Sequence, residues 1–130
     1  ANVAVNRFLV FDAKVHGKMG FGDGKTDKYY VTGWKNKSEY LSWNLKALKP
    51  GKYKVITRYI ADGDGSSYEV KIGSFVKQQD VMASQKGAVV TQEIGTADIA
   101  AGPQDLTVNP IANKGAELMR LLEIQLIPLK

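Results

Sequence analysis

Residues 52–59 read Lys52-Tyr53-Lys54-Val55-Ile56-Thr57-Arg58-Tyr59, and their side chains alternate in character. Successive side chains of a β-strand point to opposite faces of a sheet, so this period of two indicates a strand with one buried face. After a turn the same scheme recurs in Tyr68-Glu69-Val70-Lys71-Ile72. Two such strands predict an antiparallel sheet that covers one side of a core.

Alternation with a period of two also occurs in the sequence before and after these two strands, and helical periodicity is nearly absent. Leu41-Ser42-Trp43-Asn44-Leu45 places its apolar side chains, Trp43 among them, on one face. Further strands are predicted at residues 8–11, 75–78, 89–94, 106–108 and 121–127. About eight or nine short antiparallel strands predict an all-β fold, a β-sandwich of the jelly-roll type, as a single domain over residues 1–130.

Turn residues separate these strands. Lys49-Pro50-Gly51-Lys52 offers proline at the first central turn position and glycine at the second, which predicts a hairpin between the flanking strands. Asp62-Gly63-Asp64-Gly65-Ser66 and Ala100-Ala101-Gly102-Pro103 interrupt the chain in the same way. The glycine-rich residues 17–33 form a longer excursion, of a kind that often carries function on β scaffolds.

Composition sets broad limits on the class of protein. With 130 residues, 44% hydrophobic and 24% charged, the chain is expected to fold around one core. The absence of cysteine excludes disulfides, thiolate metal sites and cysteine nucleophiles. No stretch approaches the roughly 18 apolar residues of a membrane span, and residues 1–6 lack the pattern of a leader. We therefore expect a mature fragment or an excised domain.

Charge is distributed unevenly along the chain. Ten lysines lie between Lys14 and Lys54 against three acids, whereas from Val55 to Lys130 nine acids outnumber seven bases. A basic half favours an anionic partner such as an acidic polysaccharide, nucleic acid or phospholipid surface. Lysines on exposed strands also keep β proteins soluble, and this second interpretation needs no partner.

Catalytic motifs are scarce. His16 is the only histidine, and no serine lies in a G-x-S-x-G context, so a serine triad is not expected and His16 is interpreted as a packing or surface residue. Asp62 and Asp64 resemble the opening of a calcium loop, but its twelfth position holds Gly73 instead of glutamate. The glycines of residues 20–25 lack the strand-to-helix setting of a phosphate-binding loop.

Aromatic residues are the stronger indication of binding. Trp34 follows Gly33, precedes the polar residues 35–38, and lies close to Tyr29 and Tyr30. Aromatic faces with a few directional polar groups are a common way of binding sugars. Trp34 is therefore predicted to be an exposed ligand contact, with a tryptophan that caps the core as the alternative, whereas Trp43 is assigned to the core.

A series of short blocks in this order resembles the carbohydrate-binding modules of families 6 and 35, which are appended to secreted polysaccharide-degrading enzymes. The closing strand is also similar to related modules on fucosidases and sulfatases. The blocks are Asp12-Ala13-Lys14-Val15-His16-Gly17, the residues from Gly33-Trp34 to Trp43, Lys49-Pro50-Gly51-Lys52-Tyr53 with Arg58-Tyr59, and Ile124-Gln125-Leu126-Ile127-Pro128.

The resemblance implies a sugar site in loops at one end of the sandwich, with Trp34 as one wall. Residues 85–89, where the group usually has a second aromatic, contain none, and Leu118-Met119-Arg120 stand where an asparagine is common. Arg120, Asn113 and Lys114 would supply polar contacts suited to an acidic sugar, with Tyr29, Tyr30 and Lys35 nearby. The resemblance also implies a structural calcium ion, for which Asp12 is the candidate ligand.

These observations predict a non-catalytic carbohydrate-binding module that is secreted, at the cell surface or periplasmic. Its partners would be a polysaccharide and the catalytic domain of a parent enzyme, and neither a membrane nor a nucleic acid is expected as the main partner. Two alternatives stay open. One is a structural or interaction domain that packs against a catalytic domain without binding sugar, and the other is a polyanion binder that uses the lysine-rich half.

Overall fold

The computed structural model describes residues 5–25, 29–45 and 48–129, and these residues form eleven strands and one short 3-10 turn. The turn is Val10–Asp12. The strands are β1 Asn6–Leu9, β2 Lys14–His16, β3 Gly20–Phe21, β4 Val31–Thr32, β5 Tyr40–Asn44, β6 Gly51–Ile60, β7 Ser67–Ile72, β8 Phe75–Asp80, β9 Val90–Ile99, β10 Asp105–Ala112 and β11 Arg120–Pro128.

Nine of the strands make two antiparallel sheets that enclose the core. The four-stranded sheet has the order β1-β11-β6-β9, and the five-stranded sheet has the order β2-β5-β10-β7-β8. β3 and β4 pair separately in the glycine-rich excursion. In β6 the residues Tyr53, Val55, Thr57 and Tyr59 are buried, and the residues between them are more exposed. The prediction of an all-β sandwich is therefore confirmed, together with the alternation on which it rested.

The prediction of a hairpin at Pro50-Gly51 is wrong. β5 pairs with β2 and β10, whereas β6 pairs with β9 and β11, so the residues between them carry the chain from one sheet to the other. Proline and glycine favour a turn but do not say whether the strands on either side will pair. The strand predicted at residues 8–11 is likewise cut short, because β1 ends at Leu9 and the 3-10 turn leads into the second sheet.

A buried chain of polar side chains joins the two sheets. Tyr68 in β7 donates its hydroxyl proton to Gln92 Oε1 in β9 at 2.9 Å and lies 2.6 Å from Thr57 Oγ1 in β6. Gln92 Nε2 in turn donates to the carbonyl oxygen of Asp80 at 3.2 Å. Burial raises the pKa of Tyr68, so the phenol stays a neutral donor. Hydrogen bonding offsets the desolvation of these groups and fixes how the sheets face each other.

The glycine-rich excursion is fastened to the four-stranded sheet through Tyr29. Its hydroxyl accepts hydrogen bonds from Arg7 Nη2 at 3.3 Å and from Arg58 Nη1 at 2.9 Å. Both arginines also pair with the carboxylate of Glu123, whose side chain is completely buried. Within the described part of the chain, no helix is long and apolar enough to cross a membrane.

Candidate functional site

Four connections between strands meet at one end of the sandwich: residues 33–39, 61–66, 81–84 and 113–119. Backbone hydrogen bonds hold them together, since Leu118 N donates to the Trp34 carbonyl at 2.7 Å and Ser84 N to the Ala61 carbonyl at 2.8 Å. The amide of Lys114 donates to Ser66 Oγ at 2.9 Å. We call this region the loop end. Its backbone is ordered by hydrogen bonding, as a preformed site requires.

The loop end contains a cavity of about 180 Å³, which we call the loop cavity. Pockets that enclose whole drug-sized ligands measure about 300–1,000 Å³, so this cavity has room for only one unit or the end of a longer molecule. Its lining combines three carboxylates, one ammonium group, a hydroxyl and apolar atoms. The lining residues are Ala61, Asp62, Gly63, Asp64, Ser66, Lys114, Gly115, Ala116, Glu117, Leu118 and Met119.

Arg120 supports the loop cavity from behind. Its guanidinium forms two hydrogen bonds to Asp62, at 2.8 and 3.1 Å, and one to Glu117 Oε1 at 2.9 Å. Its Cζ atom lies 5.7 Å from the centre of the Tyr30 ring, within range of a cation–π interaction. The hydrogen bonds and charge of Arg120 lower the pKa of Asp62. The guanidinium is thus already engaged with two carboxylates, which leaves little of its charge for an anionic ligand.

The prediction that Trp34 is an exposed ligand contact is wrong. The side chain is completely buried in the core, and its Nε1 donates to the Glu39 carbonyl at 2.9 Å. The chain turns at Gly33, whose φ of +72° lies in the left-handed region that favours glycine. Polar sequence neighbours suggested exposure, but residues 35–38 lie outside while the ring enters the core. A ligand has no access to either face of the indole in this conformation.

Glu39 explains how this polar loop closes over a buried tryptophan. Its carboxylate accepts hydrogen bonds from the backbone amides of Lys18 at 2.7 Å, Asn36 at 3.0 Å and Lys35 at 3.3 Å. The amides of Asn36 and Lys18 are the main reason that the pKa of Glu39 is lowered, despite the burial that opposes ionisation. The buried carboxylate therefore joins residues 34–39 to the start of the glycine-rich excursion.

We expect Glu39→Gln to lower the free energy of unfolding at pH 7 by about 1–2 kcal/mol, because an amide NH₂ replaces one acceptor of these backbone donors. The folded-state pKa of Glu39 lies below the unfolded value of about 4.3. The stabilisation that ionised Glu39 contributes is therefore fully present above the unfolded-state pKa. It is lost as the pH falls through the pKa of Glu39 in the folded protein. Urea unfolding of the parent and the variant at pH 7 measures the loss of stability, and the same comparison at pH 3 measures its dependence on pH. Glu93→Gln, an exposed control, should change stability by less than about 0.5 kcal/mol, and an equal loss in the two variants would contradict the role of Glu39.

The structure gathers most of the remaining predicted site residues at the loop end. Lys114 lines the loop cavity, and Asn113 Nδ2 donates to the Lys35 carbonyl at 3.1 Å. Tyr30 reaches the region through its contact with Arg120. Tyr29 does not, because it lies against Arg7 and Arg58 on the four-stranded sheet. A role in ligand binding for any of these residues stays a prediction.

Sequence reasoning missed Glu117 and Ser66 as groups of the loop cavity, and it considered Asp64 only as part of a turn or a calcium loop. Glu117 accepts from the Gly33 amide through Oε2 at 3.0 Å and from Arg120 through Oε1. Ser66 is buried, and Asp64 Oδ1 accepts from the Ala83 amide at 2.7 Å. The sequence Asp62-Gly63-Asp64 predicts a turn, but the hydrogen bond between Asp64 and the 81–84 connection spans 19 residues of sequence. A local pattern carries no signal for such a partner.

Asp12 lies exposed at the end of the 3-10 turn. Among the described residues, no group of three or more histidine, aspartate or glutamate side chains is placed to hold a metal ion. Calcium normally takes six to eight oxygen ligands, so Asp12 alone does not make a site. The structural calcium ion remains a prediction, to be checked by the melting temperature with calcium and with a chelator.

Comparison with known proteins identifies the fold of this chain but does not assign it to a family. No family model matches the chain, and no curated protein does. Several solved structures are similar over nearly the whole chain. A β-(1,4)-mannanase of Podospora anserina with a family 35 carbohydrate-binding module is 21% identical, over 97% of this chain and 28% of that chain, with a TM-score of 0.76. A family 35 module from Clostridium thermocellum is 19% identical, over 93% of this chain and 97% of that one, with a TM-score of 0.70.

A third similar structure is the insecticidal crystal protein Cry2Aa, which is 15% identical over 95% of this chain and 21% of that chain, with a TM-score of 0.78. This chain thus spans less than a third of the length of the mannanase and of the crystal protein. At such low identities the likeness concerns the fold alone. The chain has the β-sandwich fold of the family 35 carbohydrate-binding modules.

Proposed function

We propose that this chain is a non-catalytic carbohydrate-binding module that holds a secreted, cell-surface or periplasmic polysaccharide-degrading enzyme on its glycan. The observation that carries the proposal is the loop cavity, where polar groups from distant parts of the chain converge in a mostly preformed setting. The fold of the family 35 modules, one of them in a mannanase, supports the same function. A catalytic domain elsewhere in the parent protein is part of the proposal.

The size and charge of the loop cavity favour the end of a neutral glycan. Its volume of about 180 Å³ limits it to about one sugar unit. Asp62, Asp64 and Glu117 outnumber the ammonium of Lys114, and Arg120 is engaged with two of them. A uronic acid would have to approach these carboxylates, which costs affinity. The acidic glycan suggested by the sequence therefore receives less support than a neutral one.

The decisive experiment narrows the loop cavity from Gly115. Gly115 lines the cavity, and a Cβ atom there would meet only the Glu117 carbonyl, at 3.7 Å, so we expect Gly115→Leu to fold and to narrow the cavity. We expect the parent to bind a neutral oligosaccharide with a Kd on the order of micromolar to millimolar, and the variant to bind at least about tenfold more weakly. Isothermal titration calorimetry with hits from a glycan array provides the measurement.

Ala101→Leu is the matched control, because Ala101 is exposed in the β9–β10 connection at the other end of the sandwich. It should bind like the parent. Unchanged binding by Gly115→Leu would contradict the loop cavity as the site. A uronic-acid oligosaccharide that binds more tightly than neutral ones, and loses its affinity between 50 and 200 mM salt, would instead support the polyanion binder.

The interaction-domain alternative has one observation in its favour. Phe11 and Phe21 are 43% and 44% exposed, and their rings meet edge to face with centroids 5.1 Å apart. Exposed aromatic patches on soluble proteins are often contact surfaces. An array on which the parent binds no glycan, neutral or acidic, would favour this alternative over the carbohydrate-binding module.

A further inference from the structure

One sequence motif of the loop end plays no part in the proposed function. Asn36-Lys37-Ser38 has the form Asn-x-Ser with x other than proline, which is the acceptor pattern for N-linked glycosylation. None of the other asparagines of the chain is followed two residues later by serine or threonine. These other asparagines are Asn2, Asn6, Asn44, Asn109 and Asn113. The pattern therefore singles out Asn36 as an acceptor.

The motif lies on an ordered turn at the surface. Asn36, Lys37 and Ser38 are all exposed. The amide of Glu39 donates to the Asn36 carbonyl at 3.0 Å, which closes a β-turn over Lys37 and Ser38. The Asn36 amide in turn donates to the Glu39 carboxylate at 3.0 Å. The backbone of the turn is thus held on both sides, while the side chain that would carry the glycan is accessible to solvent.

The fold can accept a modification of Asn36 without loss of packing. Trp34 is buried beneath this loop, whereas residues 35–38 lie outside. The backbone amides that bind the Glu39 carboxylate lower its pKa more than the side chain of Asn36 does. Glycosylation also replaces only one of the two hydrogens on Nδ2, so the side-chain amide keeps one donor. The contacts that hold the turn therefore survive the modification.

The position of Asn36 brings the motif close to the loop cavity. The carbonyl of Lys35, its neighbour in the chain, accepts a hydrogen bond from Asn113 Nδ2 at 3.1 Å. Asn113 directly precedes Lys114, which lines the cavity. A glycan attached to Asn36 would therefore begin at the rim of the loop cavity. Because N-linked glycans are bulky and hydrated, such a chain would reduce access for a polymeric ligand.

We propose that Asn36 is an N-glycosylation site and that its glycan restricts access to the loop cavity. In the transfer, Asn36 Nδ2 bonds to the anomeric carbon of an oligosaccharide carried on a lipid pyrophosphate. The bond from that carbon to the pyrophosphate oxygen breaks, Nδ2 loses one proton, and the lipid pyrophosphate leaves without any redox change. The site itself does not depend on the proposed function, whereas the effect on access rests on it.

The first experiment secretes the chain from eukaryotic cells, beside a reporter protein that the same cells glycosylate, and measures its intact mass before and after peptide N-glycosidase. We expect a glycan on the parent and on Ser38→Thr, which keeps the hydroxyl, and none on Asn36→Gln or Ser38→Ala. Asn44→Gln is the matched control, because Asn44 is exposed but lies outside the motif, and it should carry the glycan. An unmodified chain in both the parent and Ser38→Thr would overturn the site, as would a glycan that persists in Asn36→Gln.

The second experiment compares the glycosylated parent with Asn36→Gln from the same cells, by calorimetric titration with mannohexaose, xylohexaose and the hits of the glycan array. We expect the glycosylated parent to bind at least about threefold more weakly. Equal affinity would overturn the restricted access and leave the glycosylation site standing. If no oligosaccharide binds either form, the proposed function is wrong and the effect on access with it, while the mass measurement still decides the site.

Discussion

Replacing Trp34 by alanine is expected to lower the free energy of unfolding by about 3–5 kcal/mol, because the indole is completely buried and its removal leaves a cavity in the core. The substitution also leaves the Glu39 carbonyl without the indole N–H that it accepts from. Urea unfolding followed by circular dichroism measures the loss. Any fall in glycan binding should be no larger than the fall in folded protein.

Trp34→Phe is the matched variant, since it keeps most of the apolar volume and removes the indole N–H. We expect it to recover more than half of the stability lost in Trp34→Ala. A different pattern would overturn the assignment of Trp34 to the core. If Trp34→Ala lost less than about 1 kcal/mol yet bound no glycan, the indole would have to be a ligand contact after all.

Replacing Glu123 by alanine is expected to cost about 2–3 kcal/mol. Breaking a fully buried ion pair from one side typically costs 3–5 kcal/mol, and the smaller figure applies because Arg7 and Arg58 are 49% and 23% exposed and regain part of their hydration. Burial disfavours the ionised carboxylate, but hydrogen bonds from Arg7 and Gln125 and the arginine charges outweigh it, so the pKa of Glu123 is lowered. Urea unfolding at pH 7 provides the measurement.

The excursion should loosen in Glu123→Ala, because Tyr29 shares both arginines with the carboxylate. Hydrogen exchange of the β3 and β4 amides is expected to speed up, whereas the amides of β7 and β8 should keep their protection. Glu69→Gln, on the five-stranded sheet, is the control and should be near neutral. Unchanged exchange in β3 and β4 would show that Tyr29 does not fasten the excursion.

Burial of Trp34 also changes what limits affinity at the loop end. Of the large exposed apolar residues in the described chain, only Met82 belongs to the four connections of that region, and it is 55% exposed. A methionine covers less of a sugar face than an indole does. Affinity at the loop cavity should therefore come mainly from hydrogen bonds.

The sequence by itself determined the class of the fold and the faces of its principal strands. The alternation in β6 and β7 has one physical cause, since only every second side chain of a strand can reach the core. The same pattern correctly assigned Trp43 to the interior. Local residue chemistry also located the breaks between strands, because glycine, proline and aspartate favour turns wherever those turns lead.

Tertiary structure alone decided the rest. The chain passes from one sheet to the other at Pro50-Gly51 instead of forming a hairpin. Trp34 is buried in spite of its polar sequence neighbours. Glu117 hydrogen-bonds the amide of Gly33, which is 84 residues away in the sequence. His16 stacks on Tyr40 because β2 pairs with β5. Each of these outcomes depends on contacts between segments distant in sequence, and their geometry follows from sheet pairing and core packing, about which a local pattern holds no information.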